Sequence, residues 1–246
     1  MTAGQTGHAI LAQAATEMRL TMRRGESVLV TIIIPAALLI FFASARVLPS
    51  TRQAVDFLVP GTLALAVIST GLVSLGIATA YERYYGVLKR YGSTPFPRWA
   101  LIAAKLLSVA MIEAVQVAML IAIAFAGFGW RPHGSLLLVL LALVLGNAAF
   151  AGLGLTLAGA LRAEATLAGA NGLFLLFLLL GGLFAPLDHL PSWLVPVARV
   201  LPAAALADVL RSVLQSGSHL PQGSGLLLVA WAIAMPVVAA LTFRWE

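Results

Sequence analysis

Four polar side chains interrupt otherwise apolar runs of this chain: Glu113, Gln116, Asn147 and Asn171. An ionisable group at mid-membrane costs about 3 kcal/mol on insertion scales, so its presence asks for a use. Two readings stand. In one, the four line a translocation path and meet a cationic or polar substrate. In the other, Glu113 hydrogen-bonds Asn147 or nearby backbone and ties helices together. Hydrolytic chemistry finds less support. The histidines His8, His133, His189 and His219 fall in tails and loops, and no HExxH pair exists. Asp188-His189 is the sole adjacent acid–imidazole pair, too few ligands for a usual metal site. With no cysteine there is no thiol nucleophile, and with no GxxxxGK[ST] loop the chain cannot cradle ATP phosphates in that way. No catalytic residue, metal or resident cofactor is assigned.

A second cluster is of another kind. The stretch YERYYGVLKRYGSTPFPRWA, Tyr81 to Ala100, holds Glu82, Arg83, Lys89, Arg90 and Arg98 between long uncharged runs. Tyr81, Tyr84, Tyr85, Leu88 and Tyr91 recur at helical spacing, and Gly92, Pro95 and Pro97 follow as stop signals. The pattern predicts one short amphipathic helix with an aromatic stripe. Such a helix suits either a groove on a partner protein or the headgroup level of a bilayer.

The elements that must position these residues are membrane spans. The 246 residues are 61% hydrophobic and 10% charged, whereas soluble domains carry about 25% charged residues. About 20 apolar residues cross a bilayer as a helix. Six segments qualify, near 28–47 with Pro35 as a kink, 57–80, 101–128, 136–160, 165–184 and 225–243, and no strand is expected. The expected fold is an all-α polytopic membrane protein forming a single domain. Arg19, Arg23 and Arg24 precede an apolar run that ends at Ala43-Ser44-Ala45, as before a cleaved leader. That run, Ser27 to Ala45, is 19 residues long, so an uncleaved first span is expected.

Charge sets the orientation. With the amino terminus inside, Arg19, Arg23, Arg24, Arg83, Lys89, Arg90, Arg98, Lys105, Arg162 and Arg244 lie in the cytoplasm. Arg46, Arg52, Arg131, Arg199 and Arg211 lie outside, a bias of ten to five. The +6 charge therefore fits membrane orientation and not nucleic-acid binding. Residues 8–24 are expected as an interface helix, with Leu11, Ala14, Ala15, Met18 and Met22 as its apolar stripe. Segment 185–224 is expected outside as two short helices that dip into the membrane edge or cap the spans. Their apolar stripe runs Leu206, Val209, Leu210, Val213. Gly152-Leu153-Gly154 is read as helix packing.

Taken in order, E-R-Y-Y-G-V-L-K-R-Y-G-S-T-P (Glu82 to Pro95), L-P-S-W-L-V-P (Leu190 to Pro196) with D-V-L-R (Asp208 to Arg211), and the ending F-R-W-E resemble the motifs of type-2 ATP-binding cassette exporter permeases. The resemblance covers nearly the whole chain. It implies a half-permease, paired with an identical chain as a homodimer or with a close relative, over two copies of a separate ATPase that binds ATP and Mg. It makes 81–98 a coupling loop: Glu82 and Arg83 as polar contacts to the ATPase, Gly86 for close approach, Thr94-Pro95 as the helix stop, and Tyr85, Leu88, Lys89 and Arg90 beside them. Pro191, Trp193, Pro202 and Asp208 become extracellular gate candidates. The implied cargo is a drug, antibiotic or lipid, with glycan export less favoured, across the plasma membrane with both termini inside. The competing expectation is an ion- or proton-coupled carrier working through Glu113.

Overall fold

The computed structural model describes residues 3–23, 29–45, 51–92, 98–214 and 220–242. The ending F-R-W-E and the helix stop at Thr94-Pro95 lie outside them. Among the described residues the chain is helical, with no strand. Helix α1 is Ala3–Arg23. A π-helical turn, Leu29–Ile33, leads into α2, Ile34–Ser44, with Pro35 in its first turn. Proline lacks an amide hydrogen, and a first turn needs none there. The change of helix type falls at the position expected to kink.

Helices α3, Thr51–Ile68, and α4, Leu75–Tyr84, are joined by a second π-helical stretch, Ser69–Ser74. Ala54–Tyr84 thus forms a continuous helical rod of 31 residues. At 1.5 Å per residue it is about 45 Å long, against about 30 Å of hydrocarbon. The rod is also the axis of the molecule. In its most apolar window 83% of residues are buried, against 17% in the last helix.

After the turn at Tyr85-Gly86 come α5, Val87–Gly92, and α6, Arg98–Phe128. Then follow α7, Leu136–Ala160, and α8, Ala163–Leu180. A 3-10 turn at Leu187–His189 precedes α9, Val195–Val200, α10, Pro202–Leu214, and α11, Gln222–Thr242. Among the described residues, five helical stretches are long and apolar enough to cross a membrane, and the Thr31–Ser44 stretch is shorter.

Close backbone approach holds the bundle. Helix α7 packs on α11 and on the second π-helical stretch, α1 packs on α6, and α10 packs on α3, α7 and α11. A Cβ on Gly154 would lie 2.5 Å from the Gly71 carbonyl oxygen, and one on Gly152 2.6 Å from the Pro236 nitrogen. Gly152 and Gly154 therefore serve packing, as their spacing in an apolar run predicts. Helix α10 is buried on most of its surface, Asp208 excepted. It is seated among the ends of the longer helices.

The aromatic stretch departs from its expected form. It is two helical pieces and not one, because Gly86 takes φ +70° and turns the chain between α4 and α5. Only glycine adopts that conformation without strain. A Cβ there would meet nothing within 4 Å among the described residues, so the glycine answers to backbone angle.

Candidate functional site

At the tyrosine end, three elements share one ammonium group. Lys105, on α6, is 3% exposed, and its Nζ donates to Glu82 Oε2 of α4 at 2.6 Å. Glu17 Oε1 of α1 lies 3.5 Å from the same nitrogen and accepts from Gln13 Nε2 at 2.9 Å. A lysine so buried is tolerated only with opposite charge close by. Next to Glu82, Arg83 donates to the carbonyls of Gly159 and Leu161. Those carbonyls end α7 and lack the next turn's amides, and a guanidinium suits both the vacancy and the helix dipole. Glu82 and Arg83 thus have partners within the chain, and both are half-buried.

What this end presents outward is aromatic and basic. Tyr84 and Tyr85 are 65% and 67% exposed, with ring centroids 5.1 Å apart. Tyr81 stacks on Tyr85 at 6.1 Å. Lys89 and Arg90 are exposed beyond them, while Leu88 is buried and fixes α5 to the bundle. Behind Leu88 lies a cavity of about 90 Å³, lined chiefly by apolar groups of α6, α7 and α11 together with Thr79 and Lys105.

In mid-bundle, three of the four polar residues named from sequence converge. Glu113 and Gln116 stand one turn apart on α6, hence on one face. Asn147 Nδ2 of α7 donates to Glu113 Oε2 at 2.9 Å. Gln116 accepts from the Thr70 hydroxyl at 2.7 Å and donates to the Thr31 carbonyl. Thr31 and Thr70 belong to the two π-helical segments, which touch each other. Gln116 therefore clasps both, with one amide satisfying two groups. Sequence reasoning passed over Thr31 and Thr70, since a threonine in an apolar run carries no signal of its own. Glu113 Oε1 has no hydrogen-bond partner among the described residues. Asn171 does not join them. It is exposed on α8 and donates to its own helix at Leu167 O.

The α10 end is built differently. Arg211 donates to the carbonyls of Gly182 and Leu183, and its guanidinium sits 3.9 Å from the centroid of the Phe57 ring. Burial pulls this guanidinium down to about 10, with Asp208 opposing the shift, so it stays cationic at neutral pH. Asp208 is exposed and accepts from the Ser224 hydroxyl at 2.6 Å. Pro191 and Trp193 are exposed, the latter at 72%, whereas Pro202 is buried at the start of α10. A second cavity, about 430 Å³, opens between α7, α10 and α11. No group of three histidine, aspartate or glutamate side chains able to hold a metal occurs among the described residues.

Comparison with known proteins adds the family context. The ABC-2 type transporter family matches residues 8–214. YvfS of Bacillus subtilis, described as a transport permease, is 25% identical over 84% of this chain and 85% of its own length. YbhS of Escherichia coli, described as a multidrug ABC transporter permease, is 28% identical over 66% of this chain. ABC transporter G family member 20 of Dictyostelium discoideum is 26% identical over 77% of this chain. The chain spans 44% and 27% of the lengths of these last two.

Proposed function

This chain belongs to the ABC-2 type transporter family, and on that premise we propose that it is the permease half of an ATP-driven exporter whose ATPase is a separate subunit. The observation that carries the reading is the tyrosine end. A largely buried helical rod ends at an exposed surface of Tyr84, Tyr85, Lys89 and Arg90, the last two carried by the short helix that follows it. Tyrosine and arginine anchor protein interfaces well, and a stiff rod transmits displacement into the bundle. Glu82 and Arg83 act mainly by fixing that surface to α6 and α7, and Thr94-Pro95 end the coupling segment. ATP and Mg belong to the partner.

The wider assembly follows from the same premise. The chain forms one domain of six spans, the first running through Thr31–Ser44, with both termini and the tyrosine end in the cytoplasm of a plasma-membrane protein. Exposed Asn171 near the middle of α8 would be costly against lipid, which supports a second copy or a polar path at that face. We take the assembly to be a homodimer with two ATPases. Its cargo is a drug-like, antibiotic or lipid molecule, led past Glu113, Gln116 and Asn147, with Pro191, Trp193, Pro202 and Asp208 at the outer exit. Export of a glycan is the less favoured variant.

The test is ATP hydrolysis by the co-expressed complex in vesicles. Replacing Tyr84→Ala with Tyr85→Ala, or Gly86→Trp, should abolish permease-stimulated hydrolysis and transport while the protein still inserts. Unchanged stimulation in both would defeat the reading. A second reading, an ion- or proton-coupled carrier, draws on the unpartnered Oε1 of Glu113. It requires Glu113→Gln to block transport in vesicles without ATP.

A further inference from the structure

Helix α1 has three sides, and each meets something different. The side carrying Thr6, Ala14 and Glu17 turns toward the bundle, where Glu17 reaches Lys105. The apolar stripe is only partly covered: Leu11 is 60% exposed and Ala15, Met18 and Met22 are half-buried, while Ala14 is buried. A third side, about a quarter turn further round by helical spacing, bears exposed Arg19 and Arg23 one turn apart. A partly exposed apolar stripe beside a basic one suits a helix lying in a membrane interface, and the charge complement of two arginines there is an anionic headgroup.

The ammonium that Glu17 shares is also the one that holds Glu82, at the base of the tyrosine surface. We propose that α1 docks on anionic lipid headgroups through Arg19 and Arg23, and that Lys105 passes this occupancy to the ATPase-facing segment. The proposal rests on reading Tyr81–Gly92 as that segment. Headgroups that hold α1 keep Glu17 at Lys105, and Lys105 then keeps the end of α4 in one orientation. On a neutral surface α1 is held less firmly, and Lys105 loses one of the two carboxylates that fix it beneath Glu82. Two arginines near an anionic surface supply about a 30-fold preference, the equivalent of about 2 kcal/mol.

The chain contains no cysteine, so spin labels can be placed at will. Labels at Ala12→Cys and Lys89→Cys, both exposed positions, report the distance between α1 and the tyrosine surface. The permease is reconstituted without ATPase in phosphatidylcholine, or in phosphatidylcholine mixed with phosphatidylglycerol. The distance distribution should be narrower in the anionic vesicles. Glu17→Gln and the pair Arg19→Gln with Arg23→Gln should each remove the narrowing, and Glu17→Asp should keep part of it. Should Glu17→Gln disturb folding, the arginine pair still tests the lipid contact with the Lys105 cluster untouched. Equal widths in both vesicles for the unsubstituted pair, or narrowing that survives Glu17→Gln, overturns the proposal. Adding the ATPase to the unlabelled permease, with Ala12 and Lys89 intact, separates the two readings. Narrowing without any stimulated hydrolysis removes the coupling assignment and leaves the lipid link standing.

Discussion

Lys105 and Arg211 are cations drawn into opposite ends of the same bundle, and the protein deals with them in opposite ways. Lys105 is neutralised by two carboxylates from two other helices, at 2.6 and 3.5 Å. Arg211 is satisfied by fixed backbone carbonyls and an aromatic face. Carboxylates on side chains can leave, swap or be shared, while the carbonyls of Gly182 and Leu183 belong to the backbone of the turn after α8 and have no rotamers to change. One end is suited to rearrangement, the other to staying shut. The glycines agree: the tyrosine end turns at Gly86 in open space, whereas the α10 end is packed until a Cβ on Gly134 would overlap the Val213 carbonyl.

The contrast can be broken by mutation. The largest effect is expected from Glu82→Ala, which leaves the buried Lys105 with one distant carboxylate and should cost about 3–5 kcal/mol. Adding Lys105→Met should restore most of that loss, seen as recovery of the unfolding midpoint in detergent. No recovery would mean that the pair is not the source. Arg211→Lys keeps the charge but not the forked donor, and should cost about 2 kcal/mol in the same measurement. Gln116→Leu, between the two ends, leaves the Thr31 carbonyl unpaired and should cost about 1–3 kcal/mol. The smallest stability change, within about 0.5 kcal/mol, is expected for Tyr84→Ala, because its ring is largely exposed. Its expected effect is on stimulated ATP hydrolysis instead, and a large drop in unfolding temperature would contradict the assignment.

Much of this architecture is legible in the chain because hydrocarbon imposes one strong rule on long apolar runs. The stretches near 101–128, 136–160 and 225–243 coincide closely with α6, α7 and α11. The amphipathic first helix was equally plain. The stretch 165–184 ran past the true end of α8 at Leu180, since Gly181 and Gly182 look apolar in composition yet end a helix. Hydropathy is blind to the two π-helical segments, because one extra residue per turn changes no composition. Nor does any local pattern join Glu17, Glu82 and Lys105, which only the folding of three helices brings together. Asn171 was grouped with Glu113 by type, and its position on the wheel of α8 sends it the other way.

The π-helical stretch in the long rod bears on where the tyrosines point. Each residue advances an α-helix by about 100°. Relaxing Ser69–Ser74 into an ordinary helix with all six residues kept would turn the rod by about one residue more and swing Tyr84 round the axis by roughly that angle. Ten residues downstream, the bearing of the aromatic surface is set by a single surplus peptide unit. The compass of this rod is fixed far from its needle.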